Sequence, residues 1–191
     1  MKKLFYLFII LLVSIAGFSQ TDNSLTRRLK DYTRLYLELN IERMMEYMHP
    51  NLFELAPEYR IIESKKIYYD NNTTKTTIGK IENRSISDPF TLKGVKYCKV
   101  DYYMVTILSY KDESRLLDTA YISSMLSTIR SVDIGKDVSY NASTRQFITK
   151  GSDVLIAIKD PSKPWLFLEY NGNSELVKKL FPVEVIEHFK L

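Results

Sequence analysis

Residues Ser24 to Phe53, SLTRRLKDYTRLYLELNIERMMEYMHPNLF, decide how the rest of the chain is read. Leu25, Leu29, Tyr32, Tyr36 and Leu39 recur at steps of four, three, four and three, one apolar stripe on a helix. Lys30, Asp31, Arg34 and Glu38 fall on the opposite face. Asn40 interrupts the pattern, and Ile41, Met44, Met45 and Met48 begin a second, shorter stripe. His49-Pro50-Asn51 ends it, because a residue before proline avoids the α region. The spacing predicts a long helix, a bend and a short helix, with one apolar side that needs a partner surface.

Upstream of this stretch, Lys2 and Lys3 precede an apolar run from Leu4 to Ile15, and Gly17-Phe18-Ser19 places small residues before a cut at Gln20. That is the three-part pattern of a secretory signal peptide over 1–19. A run of roughly a dozen apolar residues is short for a membrane span of about 20. The single cysteine, Cys98, is far from the cut, so no lipid-modified cysteine follows it. The expectation is a periplasmic or secreted protein with no membrane attachment after cleavage. The roughly 170 residues that remain suit one domain, 20–191, with a substantial core. Without Lys2 and Lys3, the 27 Lys and Arg become 25 against 23 Asp and Glu, a formal charge of +2. With basic residues scattered, that balance argues against a nucleic-acid partner. A lone cysteine forms no internal disulfide, and Cys98, inside a predicted strand, reads as a small buried apolar residue.

Pro57 to Tyr69 reads as a third helix with Tyr59, Ile62, Lys66 and Tyr69 along one side. Asn71 to Thr74 is turn-like. The period then changes: Thr77 to Ser85 and Phe90 to Leu92 read as strands separated by Asp88-Pro89, and Val95 to Tyr110 is the strongest β segment. In it Cys98, Val100, Tyr102, Met104 and Leu108 share one face while Lys99, Asp101 and Tyr103 take the other. Leu116 to Arg130 returns to helical spacing and Gly135 closes the connection. Val138 to Tyr140 with Gln146 to Thr149, then Val154 to Lys159, then Trp165 to Tyr170 follow as closely spaced strands. Ser174 to Leu180 is expected as a last helix and Pro182 as the start of a final turn ending at Phe189. An amphipathic helix pair needs a sheet with one apolar face to cover, so the fold class expected is α+β, with the N-terminal helices on a strongly curved antiparallel sheet.

Three parts of the chain resemble the nuclear transport factor two-like, or cystatin-like, superfamily. These are the helix-bend-helix running from Leu37 to Phe53, the hairpins after a middle helix, and the late strand Pro164-Trp165-Leu166-Phe167-Leu168-Glu169. The resemblance implies a cone in which the arched sheet wraps the helices. It also implies that an enzymatic member would hold a carboxylate and a tyrosine in the mouth of the cone, as in lyases and isomerases. On this chain Asp101 as base and Tyr36, or Tyr32, as donor are the residues of the right type, although Asn51 stands where many relatives carry an acid and Glu54 is offset. The plainer reading makes those tyrosines core residues and pairs Asp101 with Lys99 or a neighbouring strand.

Other chemistry is sparsely supported. His49 and His188 are the only histidines and are far apart, so neither a metal site nor a cofactor is expected. Gly79, Gly94, Gly135, Gly151 and Gly172 match no phosphate-loop spacing, and no G-x-S-x-G elbow occurs. Tyr36, His49, Tyr103 and Trp165 are the candidate binding residues. His49 would titrate near neutral pH at a rim, or end a helix and interact with its dipole. Trp165 would floor a pocket or fill the core. The function expected is a non-catalytic binding module for a small ligand or protein partner, with an acid–base lyase or isomerase as the alternative. A homodimer through the sheet face is a further possibility raised by the pattern.

Overall fold

The structure, a computed structural model, describes residues 23–170 and 178–191. The signal-peptide reading, and most of the helix expected over Ser174 to Leu180, lie outside them. The leading stripe forms α1 (Asn23–Leu37), which buries Leu25, Leu29, Tyr32, Leu35 and Tyr36. Leu35, fully buried, replaces Leu39 in the stripe, because the helix ends before Leu39. That residue takes a left-handed φ of 51°, and the Asn40 amide donates to Leu35 O at 2.9 Å, a closure that satisfies a terminal carbonyl. Asn40 then starts α2 (Ile41–Met45) by accepting from the Arg43 amide at 3.3 Å. The bend is thus a left-handed stop followed directly by a cap.

After α2 the chain meets the sheet. Phe167 N donates to Tyr47 O, and His49 N donates to Phe167 O, each at 2.8 Å. This short parallel bridge occupies backbone groups of the edge strand. Arg28 reinforces it: its Nε donates to Trp165 O at 2.9 Å and its Nη2 to Glu46 O at 3.0 Å. A 3-10 turn (Pro50–Glu54) leads to α3 (Glu58–Tyr69). The inward line of α3 is rotated from expectation. Ile61, Ile62 and Tyr69 meet the core, while Tyr59 is 63 % exposed and Lys66 pairs outside with Glu42.

The sheet has six antiparallel strands: β1 (Thr74–Ile86), β2 (Phe90–Leu92), β3 (Val95–Tyr110), β4 (Asp137–Asn141), β5 (Gln146–Lys159) and β6 (Leu166–Tyr170). The order is β1-β3-β5, with β2 beside the start of β3, and β4 and β6 sharing β5. Register shifts between Ile78 and Lys80 and between Asn83 and Ser85 mark bulges in β1, which bend a strand and raise its twist. They let the sheet arch over the helices. Lys93 and Gly94, at φ 50° and 84°, form the two-residue hairpin between β2 and β3, a geometry that needs positive φ at both positions. A 3-10 turn (Ser114–Leu117) precedes α4 (Thr119–Val132), capped by Asp118 accepting from the Ala120 amide at 2.8 Å.

Two expectations are corrected here. The segments Gln146–Thr149 and Val154–Lys159 are one continuous strand, and Gly151 does not break it. The segment from Pro182 is helical, α5 (Val183–Phe189), because Val185 and Phe189, four residues apart, both dock on the sheet. They join Tyr97, Ile156, Ile158 and Leu168 in a second core on the face away from α1. The first core holds α1, α2 and Tyr69 against Cys98, Val100, Tyr102, Leu155 and Phe167. The architecture is therefore a single α+β domain with N-terminal helices on an antiparallel sheet.

Candidate functional site

Successive strand residues point to opposite faces, so the parity of β3 separates the candidate residues. Val100 and Tyr102 face α1. Asp101 and Tyr103 face the other way. Asp101 accepts from Ser85 Oγ at 2.6 Å and pairs with Lys99 at 3.3 Å, as the plainer sequence reading had it. The Arg84 guanidinium lies over the Tyr103 ring at 4.7 Å. Tyr36 lies on the inner side and receives a hydrogen bond from Tyr69 OH at 3.2 Å. Asp101 and Tyr36 are on opposite faces of the sheet, a separation that speaks against the alternative in which they act as base and donor. Trp165, 2 % exposed, belongs to the helix-facing core.

His49 is placed by the bridge to β6, and its Nδ1 accepts from the Asn51 amide at 3.4 Å. It starts the 3-10 turn instead of closing the helix before it. Burial lowers its pKa, and the charge of Asp160 only partly offsets this. Neither His49 nor Trp165 lines either of the two cavities described below.

What the inner face does hold is a cleft of about 710 Å³ between α1 and α3 on one side and the end of α4 on the other. Its first wall carries Tyr36, Lys65, Tyr69, Tyr102 and Glu169. Tyr32, behind it on α1, donates to Glu169 Oε1 at 3.1 Å, and Lys65 donates to Oε2 at 3.4 Å. The Lys65 ammonium also stands 5.9 Å from the Tyr36 ring. Burial pushes the hydroxyls of Tyr32, Tyr36, Tyr69 and Tyr102 well up, and the charge of Glu169 pushes each further. They are neutral donors at any ordinary pH.

The second wall is built around Lys136. Its ammonium bonds Asp153 at 2.9 Å and stands 3.7 Å from Asp133. Burial by itself would lower the Lys136 pKa, but the hydrogen bond and charge of Asp153, helped by Asp133, raise it overall. The Lys136 stem crosses Gly151, where an added Cβ would stand 2.5 Å from Lys136 Cγ. That explains glycine in the middle of β5: the strand gives up a side chain so that a lysine can lie flat on it. Met104 and Thr106 line the cleft from β3.

Of the residues singled out from sequence, the cleft contains only Tyr36. Glu169, Lys65, Tyr69, Tyr102, Asp153 and Lys136 were missed as site residues. A signal for the two carboxylates existed: Glu169 is two residues beyond Phe167, and Asp153 two before Leu155, so each is a charge on an otherwise apolar face. Among the described residues there is no cluster of three metal-ligating side chains, and no helix is long and apolar enough to cross a membrane.

With this geometry, the class is a single α+β domain carrying a ligand-sized, tyrosine-rich cleft. No family model, curated protein or solved structure matches the chain.

Proposed function

We propose that the protein is a non-catalytic binding module of the periplasm or cell exterior, of the nuclear transport factor two-like type, and that its ligand is a small molecule held in the inner cleft. The observation that carries this is the cleft itself: about 710 Å³, between helices and sheet, with paired charges and tyrosine hydroxyls converging on it. Sites of a few hundred to a thousand cubic ångströms with a few placed polar groups are typical of small-molecule binding. The kinship rests on the bent helix pair over an antiparallel sheet and on the late tryptophan-containing segment. The non-catalytic reading rests on the separation of Asp101 from Tyr36 and on Glu169 already being engaged by Tyr32 and Lys65.

The test is native mass spectrometry of the protein exported by a bacterial host, beside a variant with the cleft plugged by Met104→Trp. A molecule under about 1 kDa that accompanies the parent and is lost from the correctly folded variant supports the reading. Equal carriage by both proteins, or none by either across hosts and growth conditions, refutes it.

A further inference from the structure

Beyond the polar cleft lies a second cavity of about 380 Å³, and the two share Tyr68, Thr106, Val132 and Asp133. They are successive chambers of one groove. The second chamber runs between α3 and α4 over Thr76, Leu108 and Thr149, with Ile67 and Ile129 on its sides. Among the described residues its lining has no lysine or arginine, and the charged one, Asp133, lies at the junction with the first chamber.

The helix above this chamber is unusual for the fold. α4 has an apolar side formed by Tyr121, Ile122, Met125, Leu126 and Ile129, yet not one of its residues is fully buried. An amphipathic helix of this length normally sinks part of its stripe into the core. Here every residue of the stripe is only half-buried, although the helix is tied to the sheet by Tyr121 OH to Tyr110 OH at 3.1 Å and Arg130 Nη2 to Val138 O at 3.0 Å. Ile67 and Val132, on opposite sides of the groove, are 55 % and 73 % exposed. Apolar surface on both sides of an unfilled apolar chamber is surface that a hydrocarbon would cover.

The polar chamber constrains the other end of the ligand. Its two ammonium groups are already engaged, Lys65 by Glu169 and Lys136 by both Asp153 and Asp133. Among the described lining residues three carboxylates face two cations, which leaves acceptor capacity and one negative charge in excess. The ring of Tyr36 and the neighbouring tyrosines add faces that attract cations.

We infer that the ligand is a single-chain amphiphile with an amine-bearing head in the chamber of Glu169 and Asp153 and an apolar tail under α4. This rests on the binding reading above and adds to it the chemical class of the ligand.

The test uses the full exported chain and two series of probes, hexyl to dodecyl alkylamines and the matching alkyl carboxylates, titrated by calorimetry below their micelle concentrations. The amines should tighten by about fourfold per added methylene until the chamber is full, and each should bind better than the carboxylate of equal length. Thr128→Trp, an exposed position on α4 at the apolar chamber, should abolish the length dependence while circular dichroism shows the fold retained. Glu169→Gln should weaken every amine by a similar factor, on the order of tenfold, by removing one carboxylate charge.

Equal affinity for hexylamine and dodecylamine overturns the tail, and tighter carboxylates overturn the head. If no probe of either series binds while the exported protein still carries a host molecule that Met104→Trp excludes, the amphiphile inference falls and the cleft reading stands. If neither probes nor host molecule bind, both fall.

Discussion

Gly151→Ala tests the cleft wall most sharply, because the structure gives both the contact and its partner. A Cβ at position 151 would lie 2.5 Å from Lys136 Cγ, 3.0 Å from Cδ and 3.1 Å from Cβ. The clash is with the root of the lysine, so bending the ammonium end away cannot relieve it. Lys136 must lift off β5, and its 2.9 Å bond to Asp153 lengthens or breaks. Overpacking of this kind costs about 1–3 kcal/mol, and a partly exposed ion pair contributes at most about 1 kcal/mol. Replacing a strand glycine by alanine returns about 0.5–1 kcal/mol of backbone entropy. The net expectation is a loss of about 1–2 kcal/mol, seen as a fall of about 2–8 °C in Tm for a chain of this size.

The decisive form is a double-mutant cycle with Lys136→Ala. That change removes Cγ and Cδ and leaves one 3.1 Å contact, which a shift of a few tenths of an ångström relieves. Gly151→Ala should then be neutral or slightly stabilising, giving a coupling of at least about 1 kcal/mol. Urea unfolding followed by circular dichroism measures all four proteins. Equal cost of Gly151→Ala in both backgrounds would refute the packing argument and, with it, the explanation for glycine in β5.

Tyr32→Phe should cost about 1–2 kcal/mol by urea unfolding, since it deletes a hydrogen bond to a charged acceptor; a change under about 0.3 kcal/mol would show that the bond to Glu169 contributes nothing. The raised pKa values of Tyr32, Tyr36, Tyr69 and Tyr102 have a definite sign. Stability from keeping them neutral is complete below the unfolded value of about 10 and is lost as pH rises through the folded values. A titration at 295 nm should therefore show a slow or absent fraction until the chain unfolds, and ionisation of every tyrosine near pH 10 with the fold intact would contradict this. The lowered pKa of His49 has the opposite consequence. Its stability contribution is present above about pH 6.5 and is lost as pH falls through the folded value. Tm should drop in that window less steeply in His49→Asn, which keeps a side-chain acceptor at the start of the turn; identical pH profiles would rule out the histidine as the cause.

The helix pair and the long β3 strand were legible because their periods are clean and their burial is one-sided. Asn40 was visible as an interruption, but its two roles, after a left-handed stop and as a cap, depend on backbone geometry that a residue type only permits. The continuity of β5 through Gly151 was not legible for the same reason: a glycine between two strands and one that makes room beneath a lysine look alike in one dimension. Leu35 was missed from the stripe because the helix ends two residues before Leu39, and a stripe that anticipates more helix tilts away from the true face. The outer residues of β3 were correctly separated from the inner ones, yet Asp101 was still paired with Tyr36, since parity on one strand does not say which face a distant helix covers. Glu169 and Asp153 were legible as charges on apolar faces. Lys65 and Lys136 were not, because what brings them in is the rotation of α3 and the path of the loop after α4.

On the proposed function, small molecules are held between the helices and the sheet and not on its outer face. Amide chemical-shift mapping of the isotopically labelled protein against a library of small amine and aromatic fragments tests it directly. Shifts should concentrate at Tyr69, Tyr102, Gly151, Asp153 and Glu169, with Ser85, Asp101 and Tyr103 unmoved. Shifts gathered on Ser85, Asp101 and Tyr103, with the cleft residues silent, would contradict it.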